Sequence, residues 1–585
     1  MMDLHCGLAN EMYKYSYGNY NPWQVPFGEQ EDIQLVCGKN DRVATQLLLY
    51  SKEEMMVSLE ASPAFYKVYP VPTVRVEVES CIKGLQVTTQ LVELVRDDDG
   101  NYKSEVLLSK GKKFQERLKV QPTWIELATD DEVEAGEYSV TVKVYVSHLL
   151  QDETLYRTLR IKLRVMDVRV PSLHEGKFYL DLWQHHTSLA RTYEVGLWSE
   201  DHFALLKDHL KVLQELGQKA ITIIASDIPW SGQWSTYYRT NASDTFEYNM
   251  ISVKKKVDGT FGYDFSAMNR YVQMCLEMGI DGEIEIFGLL GIWTMEDAGY
   301  TKVIEDSQDA IRIRYLDEVT GTYCYIRKRK ELEAYIRAID ENIVASGWSH
   351  LAKVVCDEPN DPAHFKHVLS DLLELMPHVQ FKVTICSMQT VLEDLPGVND
   401  YVLNLPLILD RPDRIQVIRQ EKNVNMSYYV AIDPKCPNTF LRCYLAEARF
   451  LPWLSMLMDM DGFLRWAIWL WPNEPFDFES YHYQKFKAGG THFVYPSKRG
   501  KPLYSLRYKN LQKGIRDYLI FQMYAEAFEG KEEVHQAIKS IMKVKQIEEM
   551  AGRYRKNADE VLSLNYWEYE KVVNQFMSRL ETLVK

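Results

Sequence analysis

The chain has 585 residues, of which 46% are hydrophobic and 26% are charged, and its formal net charge at pH 7 is −15. This length exceeds what one hydrophobic core usually organises, so we expect two to four domains. The negative charge, without any Lys/Arg-rich run, argues against nucleic acid or an anionic membrane surface as a partner.

The expected location of the protein is inferred from two signals that are not seen in the sequence, a secretory signal and a membrane span. No basic segment followed by an apolar one stands near the start, and no stretch of about 18 apolar residues predicts a membrane span. The nine cysteines are widely spaced and include no Cys-x-x-Cys pair, which favours reduced thiols over disulfides or a zinc site. We therefore predict a cytoplasmic protein, although a secreted chain that has lost its signal would show the same features.

Residues 32–170 contain several short segments in which apolar and polar side chains alternate. The clearest segments are 73–79, 138–146 and 159–165. A period of two is typical of half-buried antiparallel strands, and the Asp-Asp-Asp-Gly-Asn run at 97–101 is typical of a hairpin turn. Such strands favour a β-sandwich, which we assign to residues 1–170.

From residue 177 onward, apolar strands alternate with amphipathic helices. The predicted strands lie at 177–183, 219–226, 283–289, 351–356, 380–386, 400–405, 425–432 and 462–469. The segment 200–216 has the apolar spacing of a helix. Eight strands separated by helices or long connections predict a (β/α)8 barrel of the TIM type over residues 171–505. The long connections at 228–262 and 291–330 would lie on the face where barrel active sites are built.

Residues 506–585 form a third predicted domain, which is helical from Leu506 to about Glu529 and from Lys531 to Lys585. We expect this helical tail to pack on the barrel or to provide a subunit contact in a homo-oligomer. The predicted fold class is therefore multidomain, with an all-β sandwich, an α/β barrel and a helical C-terminal segment.

Two adjacent carboxylates, Asp357 and Glu358, follow the predicted strand 351–356 and precede Pro359. Successive side chains on a strand point to opposite faces, so the pair can share one pocket only if the backbone turns there. Pro359 suits such a turn because it has no N–H to continue a ladder. Two carboxyls at the mouth of a barrel suit acid–base chemistry on a sugar, whereas Asp-Glu-Pro by itself is also an ordinary solvated turn.

A retaining glycosidase with its own nucleophile would need a second carboxylate roughly 5 Å from the acid, usually at another strand end. Asp433 follows the seventh strand but precedes a proline, Asp181 lies within the first strand, and Asp410 lies several residues beyond the sixth. None of the three is well placed for that role. Adjacent carboxylates fit a mechanism in which the substrate's 2-acetamido oxygen attacks the anomeric carbon, an exception to the usual two-carboxylate scheme.

Histidine and tryptophan residues stand at two further strand ends. His185 and His186 follow the first strand but have no third ligand at metal spacing, so we interpret them as pocket lining and expect no metal or organic cofactor. The segment 463–471 carries three tryptophans, which suit a hydrophobic core and a sugar-stacking platform equally well.

A series of short motifs runs in a characteristic order from the sandwich to about residue 520. The motifs are Gln121-Pro-Thr-Trp-Ile, Glu134-Ala-Gly-Glu-Tyr138, Leu182-Trp-Gln-His, Ala190-Arg, Trp198-Ser-Glu-Asp-His-Phe, Leu216-Gly-Gln-Lys-Ala-Ile-Thr, Pro229-Trp-Ser-Gly-Gln, Asp258-Gly-Thr-Phe, Asp264-Phe-Ser, Asp357-Glu-Pro, Tyr428-Tyr-Val, Asp461-Gly-Phe-Leu-Arg-Trp, Tyr495-Pro and Leu511-Gln-Lys-Gly-Ile-Arg-Asp-Tyr. Together they resemble glycoside hydrolase family 123, the β-N-acetylgalactosaminidases. Each motif alone is weak, but their order and spacing are specific.

The resemblance implies roles for particular residues. Asp357 would hold and polarise the 2-acetamido group, Glu358 would act as general acid and then base, and Tyr429 would bind the acetamido oxygen. The residues that we assign to substrate binding are Trp183, His186, Trp230, Gln233, Tyr428, Trp466 and Trp471. The family's last barrel strand commonly reads Trp-x-x-Asn, whereas this chain has Trp469 in place of the Asn, which bears on hydroxyl recognition and the galacto preference.

The sequence therefore predicts an exo-acting, retaining β-N-acetylgalactosaminidase. Its partner would be a glycan or glycolipid that ends in β-linked N-acetylgalactosamine, cleaved through an oxazoline intermediate. Two alternatives stay open: the same chemistry on β-linked N-acetylglucosamine, and a non-catalytic carbohydrate-binding protein on a degenerate barrel. The presence of both Asp357 and Glu358 argues against degeneracy.

Overall fold

The structure is a computed structural model of the full chain. It describes residues 2–18, 24–61, 71–148, 151–230, 247–290, 303–306, 310–359, 361–476, 487–552 and 556–584. Of the residues with a predicted role, Gln233 lies outside these described ranges. The described residues form a β-rich N-terminal part, a barrel and a helical C-terminal part.

The N-terminal part consists of two six-stranded sheets. Its strands are β1 (Leu4–Asn10), β2 (Ser16–Tyr17), β3 (Asp32–Lys39), β4 (Arg42–Ser51), β5 (Met55–Ser58), β6 (Thr73–Glu79), β7 (Leu85–Arg96), β8 (Tyr102–Leu107), β9 (Lys112–Gln115), β10 (Val120–Thr129), β11 (Gly136–Ser147) and β12 (Thr154–Arg169). The strand orders are β1-β4-β10-β7-β8-β2 and β3-β12-β11-β6-β5-β9. Leu47 of β4 and Ile161 of β12 belong to one buried apolar cluster that takes members from both sheets, so the alternating patterns turn their apolar sides toward each other.

The middle of the chain alternates strands with helices. In chain order these elements are β13 (Tyr179–Leu182), α1 (His186–Thr192), α2 (Glu200–Leu216), β14 (Ala220–Ile224), β15 (Ser252–Lys255), β16 (Phe261–Asp264), α3 (Ser266–Glu277), β17 (Glu283–Phe287), β18 (Arg314–Asp317), β19 (Thr322–Tyr325), α4 (Arg329–Ala345), β20 (Ala352–Asp357), α5 (Pro362–Leu375), β21 (Gln380–Ile385), α6 (Met388–Leu392), β22 (Val398–Asn404), α7 (Leu405–Asp410), α8 (Pro412–Lys422), β23 (Asn425–Tyr429), α9 (Leu445–Leu457) and β24 (Gly462–Arg465). Eight strands form one parallel sheet in the order β13-β24-β23-β22-β21-β20-β17-β14. This sheet is a nearly closed barrel, and each of its strands overlaps one that the sequence predicts.

Side chains help to close the barrel between β13 and β14. The backbone bridge there is isolated and joins Leu180 to Gln218. Gln218 Oε1 accepts a hydrogen bond from the backbone N–H of Leu182 (2.9 Å), and Gln184 Oε1 accepts one from the N–H of Thr222 (2.7 Å). Buried backbone donors must find partners, so the two glutamines complete the pairing that these short strands do not complete themselves.

A separate four-stranded sheet, which we call the inserted sheet, has the strand order β16-β15-β18-β19. It is formed by segments that connect the strands of the barrel. Strand β15 and the first half of β16 lie in the predicted long connection after β14, and β18 and β19 lie in the one after β17. The sequence analysis did not predict these strands, since each has only four residues and its pairing is decided by distant segments.

The C-terminal part is more broken than predicted. Its elements are β25 (Val494–Tyr495), β26 (Leu503–Tyr504), α10 (Leu506–Phe528), α11 (Lys531–Ser540), a 3-10 helix (Ile547–Met550), α12 (Ala558–Val561) and α13 (Tyr566–Glu581). The expectation of continuous helix from 531 to 585 is wrong. The N–H of Lys543 donates to the Val561 carbonyl and the N–H of Ser563 donates to that of Ile541, both at 2.8 Å. This long-range pairing replaces the hydrogen bonds of a helix, and the spacing of apolar residues in the sequence does not reveal it.

Helix α10 is fixed to both other parts of the molecule. A Cβ atom at Gly514 would lie 2.2 Å from the backbone oxygen of Arg449, so glycine allows α10 to approach α9 closely. On the other side, Arg516 Nε donates to Asp41 Oδ1 at 2.9 Å. The C-terminal helices therefore pack on the barrel, as expected, and also contact the N-terminal sheets.

Membrane and metal features can be stated for the described residues only. Within those ranges no helix has the length and apolar character that a bilayer crossing requires. The same described residues contain no group of three or more His, Cys, Asp or Glu side chains that could hold a metal ion. All nine cysteines are free thiols.

A charged cluster fills part of the barrel interior. The Nζ atom of Lys382, a fully buried residue of β21, lies 2.8 Å from Asp181 Oδ2, 3.2 Å from Glu283 Oε1 and 2.6 Å from Glu285 Oε1. Burial, reinforced by the nearby Asp181 charge, raises the pKa of Glu285 well above its usual value. Glu283 is also paired with Lys353, whose Nζ lies 2.6 Å from Glu283 Oε2. Buried ions are tolerated only when they are paired, so Lys382 is the cation beside Asp181 and Glu285 and shares Glu283 with Lys353.

Replacing Lys382 with Met is expected to lower the free energy of unfolding by about 3–5 kcal/mol, because it leaves buried carboxyls without their cation. Equilibrium unfolding in urea would measure the loss. The control is Lys162→Met, which breaks an ion pair of the same length, 2.8 Å to Asp32 Oδ2, at the surface. That change should cost less than about 1 kcal/mol. Similar losses in the two variants would contradict the role of Lys382.

Candidate active site

The two adjacent carboxyls are separated by a turn of the backbone. Asp357 is the last residue of β20, and Glu358 has a φ of +47°. A non-glycine residue in this left-handed region costs about 1–3 kcal/mol unless its surroundings hold it there. The Glu358 N–H is held by Thr384 of β21, at 3.1 Å from the backbone oxygen and 3.0 Å from Oγ1. The turn redirects the Glu358 side chain, which a continuing strand would point out of the barrel.

Hydrogen bonds place both carboxyls over the barrel mouth. Thr384 Oγ1 donates to Asp357 Oδ1 at 2.8 Å, and the Tyr429 hydroxyl donates to Glu358 Oε1. Tyr429 ends β23, and β21 and β22 lie between β23 and β20 in the sheet. A direct bond between Glu358 and Tyr429 must therefore cross the mouth of the barrel.

The surroundings of Glu358 favour its protonated form. Burial raises the pKa of Glu358 above its usual value, and the hydrogen bond from Tyr429 opposes this rise only in part. Burial and the negative charge of Glu358 raise the pKa of Tyr429 far above its usual value, so the phenol stays protonated. A carboxylic acid that keeps its proton toward neutral pH can act as a general acid.

Stacked aromatic rings lie at the same end of the barrel. The rings of Trp183 and Trp230 are stacked, with centroids 5.7 Å apart and planes 17° from parallel. Phe287 meets Trp183 edge-on at 4.7 Å, and His185 lies 5.3 Å from Trp230 and 5.8 Å from Trp466. These residues end or follow β13, β14, β17 and β24, while the carboxyl cluster belongs to β20, β21 and β23. The two clusters thus surround one mouth.

Two ring nitrogens in the aromatic cluster are buried without a hydrogen-bond partner among the described residues, namely Trp183 Nε1 and His185 Nδ1. Burial lowers the pKa of His185 to about 3, so its ring is neutral. Leaving such polar atoms unpaired costs about 1–3 kcal/mol each. Hydroxyl or amide groups of a sugar could provide the missing partners.

The structure brings together most of the residues with a predicted role. Those found at the mouth are Asp357, Glu358, Tyr429, Trp183, Trp230 and Trp466. The resemblance assigns Tyr429 to the acetamido oxygen, whereas here its hydroxyl donates to Glu358. A hydroxyl donates one hydrogen bond at a time, so binding the acetamido group would require Tyr429 to release Glu358.

Three predicted substrate-binding residues lie elsewhere, which corrects their assignment. The Tyr428 hydroxyl donates to the Leu451 carbonyl of α9 at 2.7 Å, because neighbouring strand residues point to opposite faces. Trp471 is fully buried and donates through Nε1 to the Val494 carbonyl at 2.6 Å. His186 is also fully buried, with Nε2 3.0 Å from the Thr222 carbonyl.

Two residues at the mouth, Phe287 and Thr384, were not predicted from the sequence, and His185 was interpreted as pocket lining together with His186 but was not named among the substrate-binding residues. A signal for Thr384 was available, since it follows Lys382 by two positions in a strand that alternates polar and apolar residues, so that the two side chains must share one face. Phe287 ends its strand as many core residues do. Sequence gave no ground for choosing His185 over His186, because the choice depends on where α1 begins.

Among the carboxylates considered as a nucleophile, none joins the pair at the mouth. Asp181 is bound to Lys382 inside the barrel. Asp410 ends α7 and Asp433 follows β23, and both are exposed.

A barrel mouth with a held carboxyl pair, a phenol donor and stacked tryptophans defines a glycoside hydrolase. The chain belongs to glycoside hydrolase family 123, because residues 183–524 match the model of the glycoside hydrolase 123 catalytic domain. This confirms the resemblance carried by the sequence motifs. None of the curated proteins compared matches the chain significantly.

Solved structures agree with this assignment. A family 123 glycoside hydrolase from Clostridium perfringens, described in terms of glycolipid glycan hydrolysis, has the same fold, with a TM-score of 0.74 and 16% sequence identity. The match covers 99% of this chain and 97% of that one. A β-D-glucuronidase from Dictyoglomus thermophilum shares 12% identity over 67% of this chain and 52% of its own, with a TM-score of 0.24, too low to compare the folds.

Proposed function

We propose that this glycoside hydrolase is an exo-acting, retaining β-N-acetylgalactosaminidase. Its substrate would be a glycan or glycolipid that ends in β-linked N-acetylgalactosamine. The observation that carries the proposal is the pair Asp357–Glu358, held at the barrel mouth by Thr384 and Tyr429. Two neighbouring residues at the end of one strand, separated by a turn, suit a division of labour on one sugar.

In the first step, Asp357 accepts a hydrogen bond from the N–H of the 2-acetamido group. The acetamido oxygen then forms a bond to the anomeric carbon while the bond to the leaving oxygen breaks. Glu358 transfers its proton to that oxygen, so the aglycone leaves as a neutral alcohol. The product on the enzyme is an oxazolinium ion, whose positive nitrogen Asp357 stabilises.

In the second step, Glu358 acts as a base. It takes a proton from a water molecule, whose oxygen adds to the anomeric carbon as the oxazoline ring opens. Both steps invert the anomeric centre, so the overall reaction retains its configuration. The hydrogen bond from Thr384 supports this scheme, because it orients the Asp357 carboxylate at the barrel mouth.

The preference for the galacto configuration rests on the family, and one residue differs from its pattern. Trp469 occupies the position where the family commonly has Asn. Its indole nitrogen donates to the backbone carbonyl of His185 at 3.1 Å, and its side chain is fully buried. Trp469 therefore supports the backbone beneath the aromatic cluster and does not face a sugar.

An assay with nitrophenyl β-N-acetylgalactosaminide and its β-N-acetylglucosaminide counterpart tests the proposal. We expect nitrophenol release from both, with kcat/KM at least about 10-fold higher on the galacto compound, because one hydrogen bond contributes about 0.5–1.5 kcal/mol and about 1.4 kcal/mol corresponds to a factor of ten. The reverse preference would make the enzyme a β-N-acetylglucosaminidase. Absence of release from either compound, with both bound, would indicate a carbohydrate-binding protein instead.

A further inference from the structure

The inserted four-stranded sheet stands beside the mouth of the barrel. Its strands β15 and β16 lie after β14, and β18 and β19 lie after β17. Both connections leave the carboxyl ends of barrel strands, the end at which Asp357 and Glu358 lie. An exo-acting enzyme holds the terminal sugar in its pocket, so the rest of a glycan must extend outward past this face.

One face of the inserted sheet is packed against the molecule. Tyr263 of β16 contacts Tyr335 of α4, with ring centroids 5.5 Å apart. On the same face Phe261 meets Tyr315 edge-on at 5.2 Å. Side chains alternate along a strand. The residues next to Tyr315 in β18, and the residues of β19 that lie across from them, therefore point to the opposite face of the sheet.

That opposite face carries an arginine between two tyrosines. The Cζ atom of Arg314 lies 5.2 Å from the ring centroids of both Tyr248 and Tyr323. Arg314 Nε is 3.3 Å from Oδ2 of the buried Asp227. The guanidinium is therefore fixed from one side, and it holds the tyrosine rings in place.

Tyr323 is the exposed member of this group, with 69% of its surface accessible. A tyrosine ring offers a flat apolar face and a polar tip, the two features that bind the C–H face and the hydroxyls of a sugar. A ring that is already held by Arg314 loses little conformational freedom when a ligand stacks on it. The exposed Tyr323 ring and the Arg314 that holds it therefore have the form of a stacking platform.

The platform is close to the aromatic cluster of the active site. Asp227 precedes Trp230 by three residues, a span of at most about 11 Å along the chain. The Asp227 N–H donates to the Arg312 carbonyl at 2.8 Å, which ties the loop after β14 to the inserted sheet. Arg314 therefore lies next to the loop that carries Trp230 into the pocket.

We propose that Tyr248, Arg314 and Tyr323 form a second sugar-binding platform, which holds the part of the oligosaccharide beyond the scissile bond. This inference rests on the proposed exo-glycosidase function and extends it. The ligand class is a neutral oligosaccharide with at least two sugars on the leaving side. Its pyranose rings stack on Tyr323, and Arg314 and the Tyr248 hydroxyl donate to its oxygens.

The test compares two substrates that differ only beyond the scissile bond. One is nitrophenyl β-N-acetylgalactosaminide, and the other is a lipid-free tetrasaccharide that ends in the same sugar. Tyr323→Ala should lower kcat/KM on the tetrasaccharide roughly 10-fold, mainly through a higher KM, as truncating an aromatic contact at a binding surface commonly does. It should leave the nitrophenyl substrate unaffected.

A matched control lies in the same hairpin. Val319 in the turn between β18 and β19 is as exposed as Tyr323, at 69%, so Val319→Ala should change neither substrate. Tyr323→Phe, which keeps the ring, should retain most of the tetrasaccharide activity. Equal losses on both substrates, or no loss on either, would overturn the platform.

The nitrophenyl substrate measures the proposed function without the platform. If the wild-type enzyme is inactive on the nitrophenyl substrate, that result counts against the proposed glycosidase function and not against the platform. In that case calorimetric titration with the tetrasaccharide decides, since Tyr323→Ala must still weaken binding about 10-fold. Unchanged binding in the titration would refute the platform independently of catalysis.

Discussion

Replacing Glu358 with Gln is expected to lower kcat/KM by about 10²–10⁴-fold on a natural glycan, whose leaving group needs a proton. The loss should be much smaller on activated nitrophenyl glycosides, because their leaving group departs with little protonation. Rates on the two substrate types provide the measurement, and the thermal midpoint of unfolding should stay close to that of the original enzyme. Full activity of the variant on the natural glycan would rule out this role.

The pH profile gives a second readout for the same residue. If Glu358 is the general acid, its protonated form is the active one, so kcat/KM on a natural glycan should fall as pH rises through its pKa. Burial raises that pKa above its usual value, so the fall should come at a higher pH than for an exposed glutamate. Glu358→Gln should lose this limb of the profile.

Two neighbouring tyrosines, one as the test and one as its control, show whether the hydrogen bond to Glu358 sets the pH profile. The Tyr429 hydrogen bond lowers the pKa of Glu358, so Tyr429→Phe should move the fall in activity to higher pH. Tyr428 donates to the Leu451 carbonyl instead, and Tyr428→Phe should leave the fall where it is. Equal shifts in the two variants would mean that neither phenol acts on Glu358 directly.

Removing the 2-acetamido group from the substrate should almost abolish turnover. If the acetamido oxygen is the nucleophile, nitrophenyl β-galactoside has lost a reacting group that was held in place, and its kcat should fall by at least about 10³-fold. A bicyclic thiazoline of N-acetylgalactosamine, which mimics the oxazoline, should bind far more tightly than the free sugar. Kinetic constants for both glycosides and an inhibition constant for the thiazoline test this expectation.

Asp357→Asn provides the matching change on the enzyme. A neutral amide cannot stabilise the positive charge that develops on the oxazoline nitrogen, so kcat should fall by roughly 10²–10³-fold. Thr384→Val removes only the hydrogen bond that orients Asp357 and should cost less. Comparable rates on the galactoside and the N-acetylgalactosaminide, without thiazoline inhibition, would mean that an enzyme nucleophile exists.

Local sequence patterns were enough to locate the barrel and the carboxyl pair at its mouth. The barrel strands are short apolar runs, and a run of this kind is recognisable without knowing its partners. Asp357 and Glu358 stand out because charged residues end such a run in front of a proline. The helix predicted from apolar spacing at about 200–216 is observed at Glu200–Leu216, and in the structure Ser199 caps its start and Gly217 ends it.

Contacts between distant segments decided the rest. The hydrogen bond from Tyr429 to Glu358 joins residues 71 positions apart. His185 packs against Trp230 and Trp466 at the mouth, whereas His186 packs against Trp198. The inserted sheet and the pairing of Lys543 with Val561 depend in the same way on partners far along the chain. Periodicity reports which face of an element is apolar, whereas the partner of a polar group is set by the tertiary fold, where burial leaves each donor and acceptor few alternatives.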